Sequence, residues 1–257
     1  MPVLTTREDR VLLVGIDRPE CRNAVNAPTA ARLAEVFREF DQDDSLDTAI
    51  LYGTGSDFCA GADLKAAASG DGSNRTRAGG AGPMGPTRLS LSKPVIAAVS
   101  GHAVAGGLEL ALWCDLRVAD ATAVFGVYCR RWGVPLVDGG TVRLPRIVGQ
   151  GRALDMILTG RAVHADEALQ MGLVNRLCES GQTLQTAREL AAQLSAFPQG
   201  CLRADRASVY AQWSLDEEQA LLREFRGGDE VIESGETRRG AERFARGRGR
   251  HGDFSDI

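Results

Sequence analysis

Apolar and polar positions fall in blocks along this chain. Two short runs of strand character, residues 3–5 and 10–16, flank the polar turn Arg7-Glu8-Asp9. Across 28–40 the large apolar residues Leu33, Val36, Phe37 and Phe40 recur at helical spacing, with acidic residues after them. Residues 48–52 (TAILY) read as a buried strand ended by Gly53, and 53–63 as a turn-rich loop closing in AGAD. Residues 69–86 are Gly, Ser, Arg and Ala with almost no large apolar side chain, which predicts a mobile loop or lid, not core. The pattern then resumes with a strand at 94–100, a helix at 106–113, strands at 116–119 and 123–126, helices at 140–148, 152–159 and 164–171, and a strand at 173–178. Beyond it, 184–195 and 199 to about 245 carry helical spacing with long polar faces and no strand signal. The order predicts an α/β core over 1–196 and a C-terminal helical subdomain over 197–257, whose last residues fray or lie on a partner subunit.

A chain of 257 residues buries enough surface to need neither disulfides nor a structural metal. A net charge of −4 lacks the basic footprint of a nucleic-acid binder. The six cysteines form no C-x-x-C pair, and three histidines complete no zinc-ligand spacing, so no metal is expected. Nothing at the N-terminus reads as a signal peptide, and the expectation is reduced thiols in a cytoplasm. The apolar run 94–114 approaches the ~20 residues that span a bilayer. Gly101, His102, Gly106, Gly107 and Glu109 break its centre, so it reads as strand, glycine turn and buried helix, with no membrane partner expected. The glycines at 247, 249 and 252 match a dinucleotide-binding spacing, but no strand precedes them and no helix follows. Ser100 and His102 stand too close on one extended segment to form a nucleophile and base pair.

The chemistry concentrates in GHAVAGGLELALWC, residues 101–114. Gly106 and Gly107 open an apolar helix, and Glu109 lies one turn inside it. A helix start without Cβ atoms offers free N–H groups and the positive dipole end to an oxygen gaining negative charge. The carboxyl beside it can move a proton. The same pattern also fits a buried glycine-rich helix with one satisfied glutamate.

Four segments together resemble the crotonase family, the enoyl-CoA hydratase/isomerase superfamily: IDRPECRNAVN, GSDFCAGADLK, KPVIAAVSGHAVAGGLELALWCDLRVAD, and GVPLVDGGTVRLPRIVG through LTGRAVHADEALQMGLVN. The tail GAERFARGRGRHGDF is similar to the end of family members. The resemblance implies a spiral of ββα repeats, trimers or dimers of trimers, and a coenzyme A thioester as substrate with no separate cofactor. It places an oxyanion hole on the N–H groups of Ala62 and Gly106. CoA would run along Arg22, Asn23, Ala24, Ala60, Asp63, Leu64 and Lys65, with Arg22 and Lys65 as phosphate partners and Phe244 as a covering contact.

One departure bears on the reaction. Family hydratases use two glutamates; Glu109 matches the first, but the F-G-x-P-E pattern of the second reads Phe125-Gly126-Val127-Tyr128-Cys129 here. A thiol with an ordinary pKa of about 8.5 replaces a carboxylate poorly. Asp138 matches the loop where other family members place a catalytic aspartate, yet it also fits as the N-cap of the helix that follows. Arg130 and Arg131 either hold a substrate carboxylate or face solvent. The expectation is an acyl-CoA enzyme adding water to a 2-enoyl-CoA through an enolate. The alternatives are double-bond isomerisation or other enolate chemistry, and a CoA-thioester binder with little catalysis.

Overall fold

The computed structural model describes residues 1–70, 72–74, 78–249 and 251. Gly252 of the glycine pattern and most of the expected frayed end lie outside the described residues. The chain divides into two compact units, Met1–Ala191 and Ala192–Ile257.

The first unit begins with a hairpin, β1 (Val3–Glu8) and β2 (Val11–Ile16), which turns at Asp9 in a left-handed conformation. Next come α1 (Ala27–Gln42), β3 (Thr48–Gly53), the short α2 (Leu64–Ser69), β4 (Val95–Val99), β5 (His102–Val104) and α3 (Gly106–Trp113). Then follow β6 (Leu116–Asp120), β7 (Val124–Gly126), α4 (Gly140–Val148), α5 (Gln150–Thr159), β8 (Val163–His164), α6 (Ala165–Gln170), β9 (Arg176–Cys178) and α7 (Thr183–Ala196).

Six strands form one sheet in the order β1-β2-β3-β4-β6-β9, antiparallel at β1–β2 and parallel from β2 onward. The three short strands form a second sheet, β5-β7-β8. The chain visits both sheets in turn, β4 then β5 then α3, and β6 then β7 then α4, which makes two ββα repeats. β3 and β4 are buried along almost their whole length, which is why they read as continuous apolar runs instead of alternating ones.

α1 starts at Asn26, whose side chain accepts from Thr29 N, with Pro28 in the first turn where its missing N–H costs nothing. Its face of Leu33, Val36, Phe37 and Phe40 is buried, and Phe37 meets the Trp113 ring of α3 at 4.8 Å. Lys93, only 1% exposed, donates from Nζ to the carbonyls of Phe40 (2.9 Å) and Asp43 (2.7 Å), placing a cation at the negative end of α1. No helix among the described residues is long and apolar enough to cross a membrane, and all six cysteines are free.

The second unit contains α8 (Gln199–Ala211), α9 (Glu217–Glu233) and α10 (Glu236–Ala245). The Glu236 carboxylate accepts from Gly200 N and Cys201 N, closing open donors at the start of α8. Tyr210, Trp213, Leu221, Leu222, Phe225, Ile232 and Phe244 of this unit are exposed.

Candidate active site

Two extended segments, 57–62 and 101–106, run side by side and build the site. Cys59 N donates to His102 O at 2.8 Å and Val104 N to Cys59 O at 3.1 Å. Both segments end in small residues. A Cβ on Gly61, whose φ is +98°, would stand 2.9 Å from Gly106 N, and a Cβ on Gly107 would overlap the Cys59 carbonyl oxygen. Ala105 makes the corner between β5 and α3 at φ 53°, ψ −124°, a strained conformation for a residue with a side chain. That corner aims the α3 N-terminus into a cavity of about 360 Å³, lined by Ala60, Ala62, Ala105, Gly106 and Glu109 among others. Among the described residues neither Ala62 N–H nor Gly106 N–H has a hydrogen-bond partner. Two unpaired donors, one at a helix N-terminus, suit an oxygen that gains negative charge.

The Glu109 side chain, 2% exposed, lies in the same cavity wall. Its Oε1 accepts from Asp138 N and Gly140 N, both at 2.8 Å, while Oε2 has no hydrogen-bond partner among the described residues. Burial pushes its pKa up to about 7; the Asp138 carboxyl adds to the rise, and the two N–H donors oppose it. Asp138, 3% exposed, also lines the cavity. Its Oδ1 accepts from Met84 N at 3.0 Å and from the Thr87 hydroxyl, and burial outweighs those bonds to raise its pKa. Arg143 fixes this corner by donating to the carbonyls of Asp138 (2.9 Å) and Thr87 (2.6 Å). The capping alternative for Asp138 fails: the N-cap of α4 is Gly139, and no side chain caps it.

Residues 6–252 match the family model for enoyl-CoA hydratase/isomerase. The chain belongs to the enoyl-CoA hydratase/isomerase family. It is 35% identical over 246 residues to enoyl-CoA hydratase EchA19 of Mycobacterium tuberculosis, covering 94% of this chain and 92% of that one. It is 42% identical over 194 residues to carnitinyl-CoA dehydratase of Proteus mirabilis, covering 75% and 73% of the two chains. The crystal structure of enoyl-CoA hydratase EchA1 from Mycobacterium marinum superposes with a TM-score of 0.90 at 34% identity, covering 96% of each chain. The expected crotonase-type α/β fold is thereby established.

Against that family frame, Arg22, Ala60, Ala62, Asp63, Leu64 and Gly106 line the cavity with Glu109 and Asp138. Asn23, Ala24 and Lys65 do not line it. Asn23 is fully buried and ties loops together, accepting from Arg18 N and donating from Nδ2 to Thr54 O and Asp57 O. Lys65 is exposed on α2. Asp63 caps α2 through Lys65 N and Ala66 N and pairs with Arg18 at 2.9 Å. Arg130 and Arg131 are exposed and outside the lining: Arg130 Nε donates to Ile157 O, and Arg131 stacks 4.2 Å over the Tyr128 ring.

Cys129, where family hydratases carry their second glutamate, faces the cavity. Burial and then the Glu109 charge raise its pKa, so it stands there as a neutral thiol. The expectation that 69–86 lies wholly outside the core is corrected. Ser73, Asn74, Pro83 and Met84 line the cavity, and Met84, only 1% exposed, packs against Gly106. Residues 71 and 75–77 of that loop lie outside the described residues. Sequence reasoning missed Met84, Thr87 and Arg143, since each meets the site across the fold with no local pattern to mark it.

Proposed function

We propose that the chain adds water across the 2,3 double bond of a 2-enoyl-CoA, with Ala62 N–H and Gly106 N–H holding the thioester oxygen and Glu109 moving the proton. The observation that carries this reading is that buried Glu109 Oε2 shares a cavity with two N–H groups, none of the three having a hydrogen-bond partner among the described residues. Glu109 Oε2 takes a proton from water as the water oxygen bonds to C3. The π electrons move through C2 to the thioester oxygen, which becomes an enolate on the two N–H groups. Glu109 then returns the proton to C2, restoring the thioester. A pKa of about 7 suits a carboxyl that must accept and release one proton in each cycle. Asp138, its own pKa raised, is the second acid–base candidate and fixes Glu109 through its backbone N–H.

In this reading Arg22, Ala60, Asp63 and Leu64 receive the CoA arm, Lys65 reaches its phosphates from outside the cavity, and no separate cofactor takes part. A second reading, double-bond isomerisation, is favoured by Cys129: one carboxyl carrying a proton between C4 and C2 needs no second carboxylate.

The test follows loss of the enoyl-thioester absorbance of crotonyl-CoA, with carnitinyl-CoA assayed in parallel. Glu109→Gln is expected to lose about 10²–10⁴-fold in kcat. Loss in Asp138→Asn as well identifies it as the second acid–base group, and unchanged turnover assigns it a structural role. Acyl-CoA binding without hydration by the wild type would overturn the hydratase reading in favour of the isomerase or the binder.

A further inference from the structure

His102 is one of three histidines, and the proton-transfer steps above do not use it. It begins β5 and lines the cavity with its side chain one-third exposed. Its Nδ1 lies 2.6 Å from Asp57 Oδ1, and the same oxygen accepts from His102 N at 3.0 Å. Burial alone would raise the Asp57 carboxyl, but these bonds and one from the Ser56 hydroxyl outweigh it and hold the pKa below its ordinary value. An ionised carboxylate only accepts, so in the neutral ring the proton sits on Nδ1 and Nε2 presents a lone pair. Nε2 has no hydrogen-bond partner among the described residues.

Place decides what that lone pair can meet. β5 rises about 3.3 Å per residue, which sets His102 roughly 10 Å back along the strand from Ala105 and the N-terminus of α3. That is too far to touch an oxygen on Gly106 N–H or the carbons beside it. The direction leads to the Arg22 end of the cavity: Asn23 Nδ2 donates to Asp57 O at 2.6 Å, and Ala60 N donates to Arg22 O at 2.9 Å. In the reading proposed above, in which Arg22, Ala60, Asp63 and Leu64 receive the CoA arm, a thioester with its oxygen on Gly106 sends its pantetheine arm that way. The arm carries two secondary amides, whose N–H groups are hydrogen-bond donors.

We infer that His102 is a substrate-positioning residue, held in one tautomer by Asp57 so that Nε2 accepts a hydrogen bond from a pantetheine amide N–H. This rests on the reading of the substrate as a CoA thioester.

The test compares crotonyl-CoA with S-ethyl thiocrotonate, which keeps the reacting atoms and lacks both amides. His102→Ala is expected to lower kcat/KM about tenfold for crotonyl-CoA, the loss of one hydrogen bond, and to leave the ethyl thioester within about twofold. His102→Gln, with an amide oxygen to accept, should recover most of the loss. Asp57→Ala, which removes the oxygen that holds Nδ1–H, should reproduce part of it. An equal loss on both thioesters would overturn the assignment in favour of a structural or proton-transfer role, and no loss on either would also overturn it. If the wild type hydrates neither, the hydration reading fails separately, and His102 is judged by the Kd of butyryl-CoA. About tenfold weaker binding in His102→Ala supports the assignment, and an unchanged Kd ends it.

Discussion

Glu109 is tuned at the expense of the fold. Its pKa rises from 4.5 in the unfolded reference to about 7 in the folded chain. The group's favourable contribution is therefore complete below about pH 4.5 and is lost as pH climbs through 7, because the ionised carboxyl is better solvated in the unfolded chain. The loss amounts to roughly 3 kcal/mol at pH 8. Glu109→Gln removes the charge, so denaturant unfolding should find the variant more stable than wild type at pH 8, with the gap shrinking towards pH 5. A variant no more stable at pH 8 would mean that Glu109 is better solvated than its surroundings imply. Activity should run the other way: kcat/KM for hydration is expected to fall with acid below about pH 7 as Oε2 is protonated, and Glu109→Gln should lose that limb with its turnover. The place of Glu109 in the cavity wall was legible in sequence from its position one turn into a helix opened by two glycines. Its partners were not. The spacing of Asp138 before Gly139 imitates a helix cap, and only Thr87, 51 residues away, reveals where the carboxyl points.

The elements found most easily are those whose signal is local. β3 and β4 are apolar runs, and α1 carries its stripe of Leu33, Val36, Phe37 and Phe40. β5 escaped because three residues, His-Ala-Val, between Gly101 and the glycines of α3 carry no periodicity, and its strand character comes from pairing with β7 and with 57–62. That pairing sets the demands on α3. Gly107→Ala would drive a methyl group into the Cys59 carbonyl, forcing the helix off the 57–62 segment. Overpacking of this kind costs about 1–3 kcal/mol. The expected result is a lower urea midpoint with an unchanged m-value, and a fall in kcat larger than any change in KM, because Gly106 N–H moves with the helix. Lys93 is the matching case at the end of α1. Lys93→Met leaves the carbonyls of Phe40 and Asp43 without its ammonium, and should destabilise the fold by about 1–3 kcal/mol with KM unaltered.

At the scale of the molecule, the α/β succession and the helical end were readable because strands gave way to helices with long polar faces. Polar faces do not account for the whole second unit, however. Leu221, Leu222 and Phe225 stand on one stretch of α9 at 47–66% exposure, and Ile232 follows two turns later at 59%. Tyr210 and Trp213 of the same unit are about half exposed. Contiguous apolar surface of this kind marks an interaction face, and in symmetric assemblies the same patch serves every copy. The trimer, or pair of trimers, that the family resemblance implies would give that face an occupant of its own kind. Light scattering on the purified chain should then report a mass of three or six 27.4-kDa chains. Leu221→Glu combined with Phe225→Glu should lower the mass to that of one chain and leave the secondary-structure spectrum in place. A wild type that runs as a monomer would overturn the expected trimer. An unchanged mass in the double variant would move the interface off α9.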